Sequence, residues 1–169
     1  ASLWELLTAG RTTTRDIPAD RFDAPAWFDA DPSAPGKSAT MRGSFLDQID
    51  QFDPEYFGIS PREVEQMDPQ QRLALEVAIE ALDDAGIRHA DLRGSRSGVF
   101  MACYHDDYAR LVHENVDTLD TRTLTGTLHA VTANRISHFL DLRGPSLALD
   151  TACSSSLVAI HLACQSLRM

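Results

Sequence analysis

Hydrophobic positions along the chain change period several times, and each change predicts an element. Leu75, Ile79 and Leu82 recur at helical spacing, and Asp68-Pro69-Gln70-Gln71 before them supplies an N-cap with proline at the first helical position. The predicted helix runs to about Ala85, with Gly86 as its stop. Ser60-Pro61-Arg62-Glu63 offers the same start chemistry one step earlier, with Glu63 placed for a capping box. Gly98–Cys103 (GVFMAC) is almost wholly apolar and predicts a strand buried on both faces. The polar residues His105, Asp106 and Asp107 follow it, and a short helix is expected over Tyr108–Asn115. A helix over Leu128–Leu140, a turn at Gly144-Pro145, a strand over Ser146–Asp150 and a helix over Ser155–Leu167 complete the series. The last helix is apolar nearly all round, which predicts that it is central and buried.

The stretch before Phe57 has a different texture. Pro18, Pro25, Pro32, Pro35 and Gly36 break it repeatedly, while Phe22, Trp27, Phe28, Phe45, Phe52, Tyr56 and Phe57 recur between the breaks. So many large rings argue against disorder. They predict a loop-rich segment that wraps over a core and pins itself by those rings.

Composition narrows the function classes. The 169 residues suffice for one domain, and no apolar run is long enough to span a bilayer. Residues Ala1 to Leu7 lack the pattern of a signal peptide, so the expected compartment is the cytosol. Net charge is -10 with no basic stripe, which removes the electrostatic footprint of a nucleic-acid or anionic-membrane binder. Cys103, Cys153 and Cys164 fit neither a disulfide framework nor a zinc pattern, and read as free thiols.

Cys153 stands apart from the other two. It lies where a strand ends and a buried helix begins, within SLALDTACSSSLVAIHLACQSL, residues 146 to 167. The arrangement is that of a nucleophile elbow, although Gly-x-Ser-x-Gly is absent. Three effects converge there. The positive end of a helix dipole favours thiolate over thiol, first-turn N–H groups can hold an oxyanion, and Ala152, Ser154, Ser155 and Ser156 leave room for a thioester. Thr151 and Ser155 are placed to cap the helix or to bond Asp150. Residue type alone equally allows a small core cysteine. Cys164 is eleven residues along the same helix, about 16 Å away, and is expected buried like Cys103.

The residues Asp150-Thr151-Ala152-Cys153-Ser154-Ser155-Ser156-Leu157-Val158-Ala159 resemble the active-site motif of the β-ketoacyl synthases of type I modular polyketide synthases and related fatty acid synthases. Phe57–Glu63, Met67–Arg72, Glu80–Gly86 and Asn134–Ser137 are similar to the same family in the same order. Ala102 and Ile79 depart from it, where glycine and tryptophan are common. The resemblance implies a partial thiolase fold, the N-terminal half of a five-layered αβαβα architecture, truncated at both ends over residues 1–169 and dimeric when complete. In that dimer the strand Ser146–Asp150 would pair with its twin.

By the same resemblance, Cys153 is the catalytic nucleophile and its backbone N–H is half of an oxyanion hole. The implied partners are an acyl carrier protein, whose phosphopantetheine arm delivers the acyl chain, and a malonyl or methylmalonyl thioester. No cofactor or metal bound by the domain itself is implied. The family's two histidine motifs, His-Gly-Thr-Gly-Thr and Asn-x-Gly-His, do not occur in these residues. His89, His105, His113, His129, His138 and His161 match neither and read as surface or loop residues. A cysteine at 153 argues against chain-length factors and decarboxylating loading relatives, which carry glutamine there. Two other readings stay open: a non-catalytic dimer-forming scaffold, and a ketosynthase of a related fatty acid synthase. A cysteine hydrolase would need a histidine partner that the sequence does not place.

Overall fold

The computed structural model describes residues 3–114 and 116–169. Asn115, where the sequence places the end of a helix, lies outside them. Two compact units form, Ala1–Ile49 and Asp50–Met169. The first holds α1 (Leu3–Thr8), β1 (Arg15–Asp16), α2 (Ala24–Trp27) and β2 (Arg42–Gly43). β1 and β2 pair antiparallel, with Arg15 opposite Gly43. The loop-rich expectation holds, but the pinning by rings does not hold in this unit. Phe22, Trp27 and Phe28 are exposed, and Ala24 is its one buried apolar residue among those described. Two-residue strands and one-turn helices enclose too little volume to bury an aromatic ring.

Phe45 is half-buried in the first unit, whereas Phe52, Tyr56 and Phe57 belong to the second unit, where the expectation is met. Phe52 stacks on Phe57 at 4.9 Å between centroids, and Phe57 meets Phe139 at 4.9 Å. This unit begins with α3 (Pro54–Phe57), α4 (Pro61–Val64) and α5 (Pro69–Asp84). Asp53 accepts the Tyr56 N–H at 3.0 Å, and Gly58 ends α3 in a left-handed conformation, φ 64°. Ser60 accepts the Glu63 N–H at 3.3 Å as predicted. The Glu63 carboxylate does not close a capping box, however; it takes a hydrogen bond from Arg135 at 2.7 Å. α5 starts on the Asp68 carboxylate, which accepts the Gln70 N–H at 2.8 Å, and ends before Gly86 as the sequence indicates.

α6 (His89–Leu92) leads into β3 (Val99–Ala102), α7 (Asp107–His113), α8 (Thr121–Thr127), α9 (His129–Phe139), β4 (Ser146–Leu149) and α10 (Ser155–Arg168). β3 and β4 pair in parallel, Val99 opposite Ser146 through Ala102 opposite Leu149. Alternation along β3 then divides the side chains between two faces. Val99 and Met101 join the core of Met67, Leu75, Ile79, Ile136 and Leu140, supplied by α5, α9 and the residues that flank them. Phe100 and Ala102 face α10, beside Ala159 and Ile160.

Two expectations about this region need correction. β3 is half-buried, not enclosed, because its sheet has only two strands among the described residues. α10 is not covered all round: Leu157 is 73% exposed, Ile160 60% and Leu167 88%, since only the β3 side lies against it. No helix of the described residues is long and apolar enough to cross a membrane.

α8 is not apparent from the sequence pattern, and the reason is physical. Its sequence TRTLTGT is rich in β-branched threonine and contains a glycine, both poor helix formers. It forms through its ends and its neighbours. Asp120 and Thr123 make a reciprocal capping box, and the Thr123 hydroxyl donates to Gln66 Oε1 at 2.9 Å. At Gly126 a Cβ would lie 1.9 Å from the Gln66 carbonyl oxygen, so only glycine permits this approach. The same contact gives Asp68 its backbone bond, N–H to Gly126 O at 2.9 Å. Gly126→Ala is therefore expected to destabilise by about 1–3 kcal/mol, read as a lower urea midpoint. Leu157→Ala, on the bare face of α10, is expected to shift the midpoint by no more than about 0.5 kcal/mol in the same 169-residue chain. Equal midpoints for Gly126→Ala and the parent chain would contradict the packing described.

Candidate active site at the strand-to-helix elbow

β4 ends at Leu149 and α10 begins at Ser155, so five residues reverse the chain between them. Ala152–Ser154 form one turn of 3₁₀ helix leading into α10. Ala152 takes φ 52°, a left-handed conformation that costs an L residue about 1–2 kcal/mol. The surrounding side chains hold it there. The Asp150 carboxylate accepts the Ala152 N–H at 2.8 Å. The Ser155 hydroxyl accepts the Thr151 N–H at 2.8 Å and donates to the Ala152 carbonyl at 2.7 Å. Thr151 and Ser154 share a further contact between hydroxyls at 2.8 Å. The expected roles of this cluster are thus divided. Asp150, Ser154 and Ser155 brace the backbone, the Ser154 hydroxyl donating to the Thr151 carbonyl at 2.8 Å, while the Thr151 side chain caps nothing.

The consequence for Cys153 is position. It follows the left-handed residue directly, sits in the first helical turn and is exposed. The other thiols differ from it in different ways. Cys103 directly follows β3 with 4% exposure, its N–H donating to Leu149 O at 3.2 Å. Burial pushes its thiol above the ordinary range, against the lowering effect of a hydrogen bond with Thr132. Cys164, expected to be buried, is exposed, because it lies on the part of α10 that β3 does not cover.

Parallel register places a second loop beside the elbow. Residues following Ala102 and Leu149 emerge at the same end of the two-stranded sheet. Gln70 Nε2 donates to the His105 carbonyl at 2.9 Å, and His129 Nε2 lies 3.0 Å from the same oxygen. Both side chains anchor this loop, a role that spacing along the sequence gives no sign of. Tyr108 supports it from below, its hydroxyl donating to Glu65 O at 2.5 Å with the Arg72 guanidinium 6.0 Å from its ring. Of the six histidines, His129 alone is half-buried and the rest are exposed, close to the expectation. No cluster of metal-ligating side chains occurs among the described residues.

A buried polar network stabilises the layer behind the sheet. Gln71, 1% exposed, donates to the carbonyls of Thr125 at 3.1 Å and Leu128 at 3.3 Å. Its Oε1 accepts from Arg135 Nε at 2.7 Å, and Arg135 reaches Glu63 at 2.7 Å. This one chain of bonds ties α4, α5, α8 and α9 together, which accounts physically for the polar residues Gln71 and Arg135 in an otherwise apolar interface.

The family described as "Beta-ketoacyl synthase, N-terminal domain" matches residues 1–169. A phenolphthiocerol/phthiocerol polyketide synthase protein of Mycobacterium tuberculosis is 50% identical over 168 residues, covering 99% of this chain and 11% of its own length. A highly reducing polyketide synthase of Aspergillus luteorubrus is 50% identical over 169 residues, 99% of this chain and 5% of its own length. Among solved structures, the oxazolomycin ketosynthase domain of Streptomyces albus superimposes with a TM-score of 0.85 at 37% identity, covering 98% of this chain and 29% of that one. The ketosynthase from module 6 of the bacillaene synthase of Bacillus subtilis gives a TM-score of 0.80 at 36% identity, covering 98% and 26%. These neighbours carry the thiolase-like fold expected from the sequence. The chain therefore spans a small part of the relatives it matches, and it belongs to the β-ketoacyl synthase family of polyketide synthases, within that family's N-terminal domain.

Proposed function

We propose that this chain carries the acyl-accepting part of a polyketide chain-extending ketosynthase. The supporting observation is Cys153: an exposed thiol behind a strained, side-chain-braced elbow at the start of a helix. In the proposed reaction the Cys153 thiolate attacks the thioester carbonyl of an acyl chain held on the phosphopantetheine arm of an acyl carrier protein. The carbonyl oxygen becomes an oxyanion facing the Cys153 N–H. Collapse breaks the carbon–sulfur bond to the arm, whose thiol takes up a proton, and leaves the acyl group on Cys153. Loss of carbon dioxide from a malonyl or methylmalonyl thioester then generates a carbanion. Its attack on the acyl-enzyme forms the carbon–carbon bond and returns the electron pair to the Cys153 sulfur.

The domain itself would bind no cofactor. We place the reaction in the cytosol, which suits three cysteines that remain free. We further infer a homodimer in which β4 pairs with its twin. Leu147 of that strand is 44% exposed, and β4 has only one partner strand among the described residues.

Thiol chemistry tests the assignment. Iodoacetamide near neutral pH is expected to label Cys153 and Cys164, both exposed, and to leave Cys103 unmodified. Because burial raises the Cys103 thiol, its labelling appears only as pH climbs beyond the usual thiol range. Prior loading with an acyl thioester should protect Cys153 and leave Cys164 labelling unchanged. In a complete ketosynthase polypeptide containing these residues, Cys153→Ala should abolish acyl loading. Retention of the acyl group by that variant, or protection of Cys164 in place of Cys153, would refute the assignment. The 169 residues by themselves are expected to form no β-ketoacyl product, since neither family histidine motif occurs in them.

A further inference from the structure

Three successive peptide groups at the elbow each have a side-chain partner. The Thr151 N–H is bound by the Ser155 hydroxyl, the Ala152 N–H by the Asp150 carboxylate, and the Ala152 carbonyl by the Ser155 hydroxyl, at 2.8, 2.8 and 2.7 Å. The third matters most. A peptide bond is planar and trans, so the Ala152 carbonyl and the Cys153 N–H lie in one plane and point in opposite directions. Whatever fixes that carbonyl fixes the aim of that N–H.

We propose that Ser155 is a positioning residue that aims the Cys153 N–H at the carbonyl oxygen of the incoming thioester. The proposal rests on Cys153 being the acyl acceptor. Ser155 is 4% exposed and its hydroxyl is engaged on both sides, so it acts on the backbone and not on substrate. Asp150 cannot take its place, because its bond is to the preceding peptide group. Without the hydroxyl, the Thr151 N–H loses this acceptor, and the Ala152 carbonyl keeps the backbone N–H of Ser155 as its remaining local donor. Ala152, held at φ 52°, then has two fewer hydrogen bonds opposing rotation toward the negative φ that an L residue prefers. Rotation at Ala152 turns the Ala152–Cys153 plane while the sulfur stays at the mouth of the helix.

This separation of N–H from sulfur gives a test that plain loss of structure would not pass. Acyl transfer from a carrier-protein thioester passes through an oxyanion, whereas alkylation by iodoacetamide is a displacement at carbon with none. In a complete ketosynthase polypeptide containing these residues, Ser155→Ala should lower the single-turnover acylation rate constant by about 10–100-fold, less than outright removal of an oxyanion donor. The KM for the acyl carrier protein and the rate of Cys153 alkylation should not change. Ser155→Thr, which restores a hydroxyl, should restore acylation. Acylation unaffected by Ser155→Ala, equal losses in acylation and alkylation, or failure of threonine to rescue would each overturn the proposal. Cys153→Ala is the control for the underlying reading: if it still accepts the acyl group, that reading fails and this proposal with it. If it does not, an unaffected Ser155→Ala variant refutes the positioning role alone.

Discussion

A single backbone angle at Ala152 decides where the thiol of Cys153 goes. With φ at 52°, the chain leaves β4 and enters α10 within five residues, and the helix starts with its first N–H groups beside the sulfur. An L residue does not adopt that angle without compensation, and here the compensation is three short hydrogen bonds from Asp150 and Ser155. A glycine at 152 would relieve the strain and also widen the conformations open to the unbound elbow. Alanine with bracing side chains gives a narrower choice, which suits the proposed attack of Cys153 on a carbonyl at a defined angle.

The elbow can only be as well placed as β4, and β4 is located from both sides. Its pairing with β3 sets the register, and close backbone approach sets the start. A Cβ at Gly144 would come within 2.3 Å of the Ser97 carbonyl oxygen, so that contact requires glycine. From α9, the Ser137 hydroxyl donates to Ser146 Oγ at 2.8 Å, and Ser146 in turn donates to Asn134 at 2.9 Å. Behind α9, the Gln71–Arg135–Glu63 chain and the apolar core fix the helical layer to α4 and α5. Packing therefore runs continuously from the Phe52–Phe57 stack to β3, the strand paired with β4. The stiffness of the site has a physical path through the unit.

Much of this is readable from residue order, and what is not follows a pattern. α5 is legible because Asp68, Pro69 and Gly86 mark its ends and Leu75 and Ile79 its buried face. Both strands are legible within a residue or two, since short apolar runs between turns have few alternatives. α8 is hidden because its stability comes from Gln66 and the capping box, not from the propensity of its own residues. The exposure of α10 and Cys164 is hidden for the opposite reason. An apolar helix states that it is to be covered, but not which residues cover it. At the site, the proposed nucleophile is visible as a cysteine at a strand-to-helix junction. The left-handed angle at Ala152 and the division of labour between Asp150 and Ser155 are not, because alanine gives no warning of a positive φ. Gln70 and His129 are invisible as loop anchors, since their shared acceptor is a backbone carbonyl that no side-chain pattern reports.

The most direct measurement is a crystal structure of a complete ketosynthase polypeptide containing these residues, trapped with a slowly hydrolysed acyl group. The account predicts continuous density from the Cys153 sulfur into the acyl carbon and a positive φ at Ala152. It also predicts the acyl carbonyl oxygen about 2.7–3.1 Å from the Cys153 backbone nitrogen. An acyl group on any other side chain, or an elbow relaxed to negative φ with the Cys153 N–H turned away from that oxygen, would contradict it.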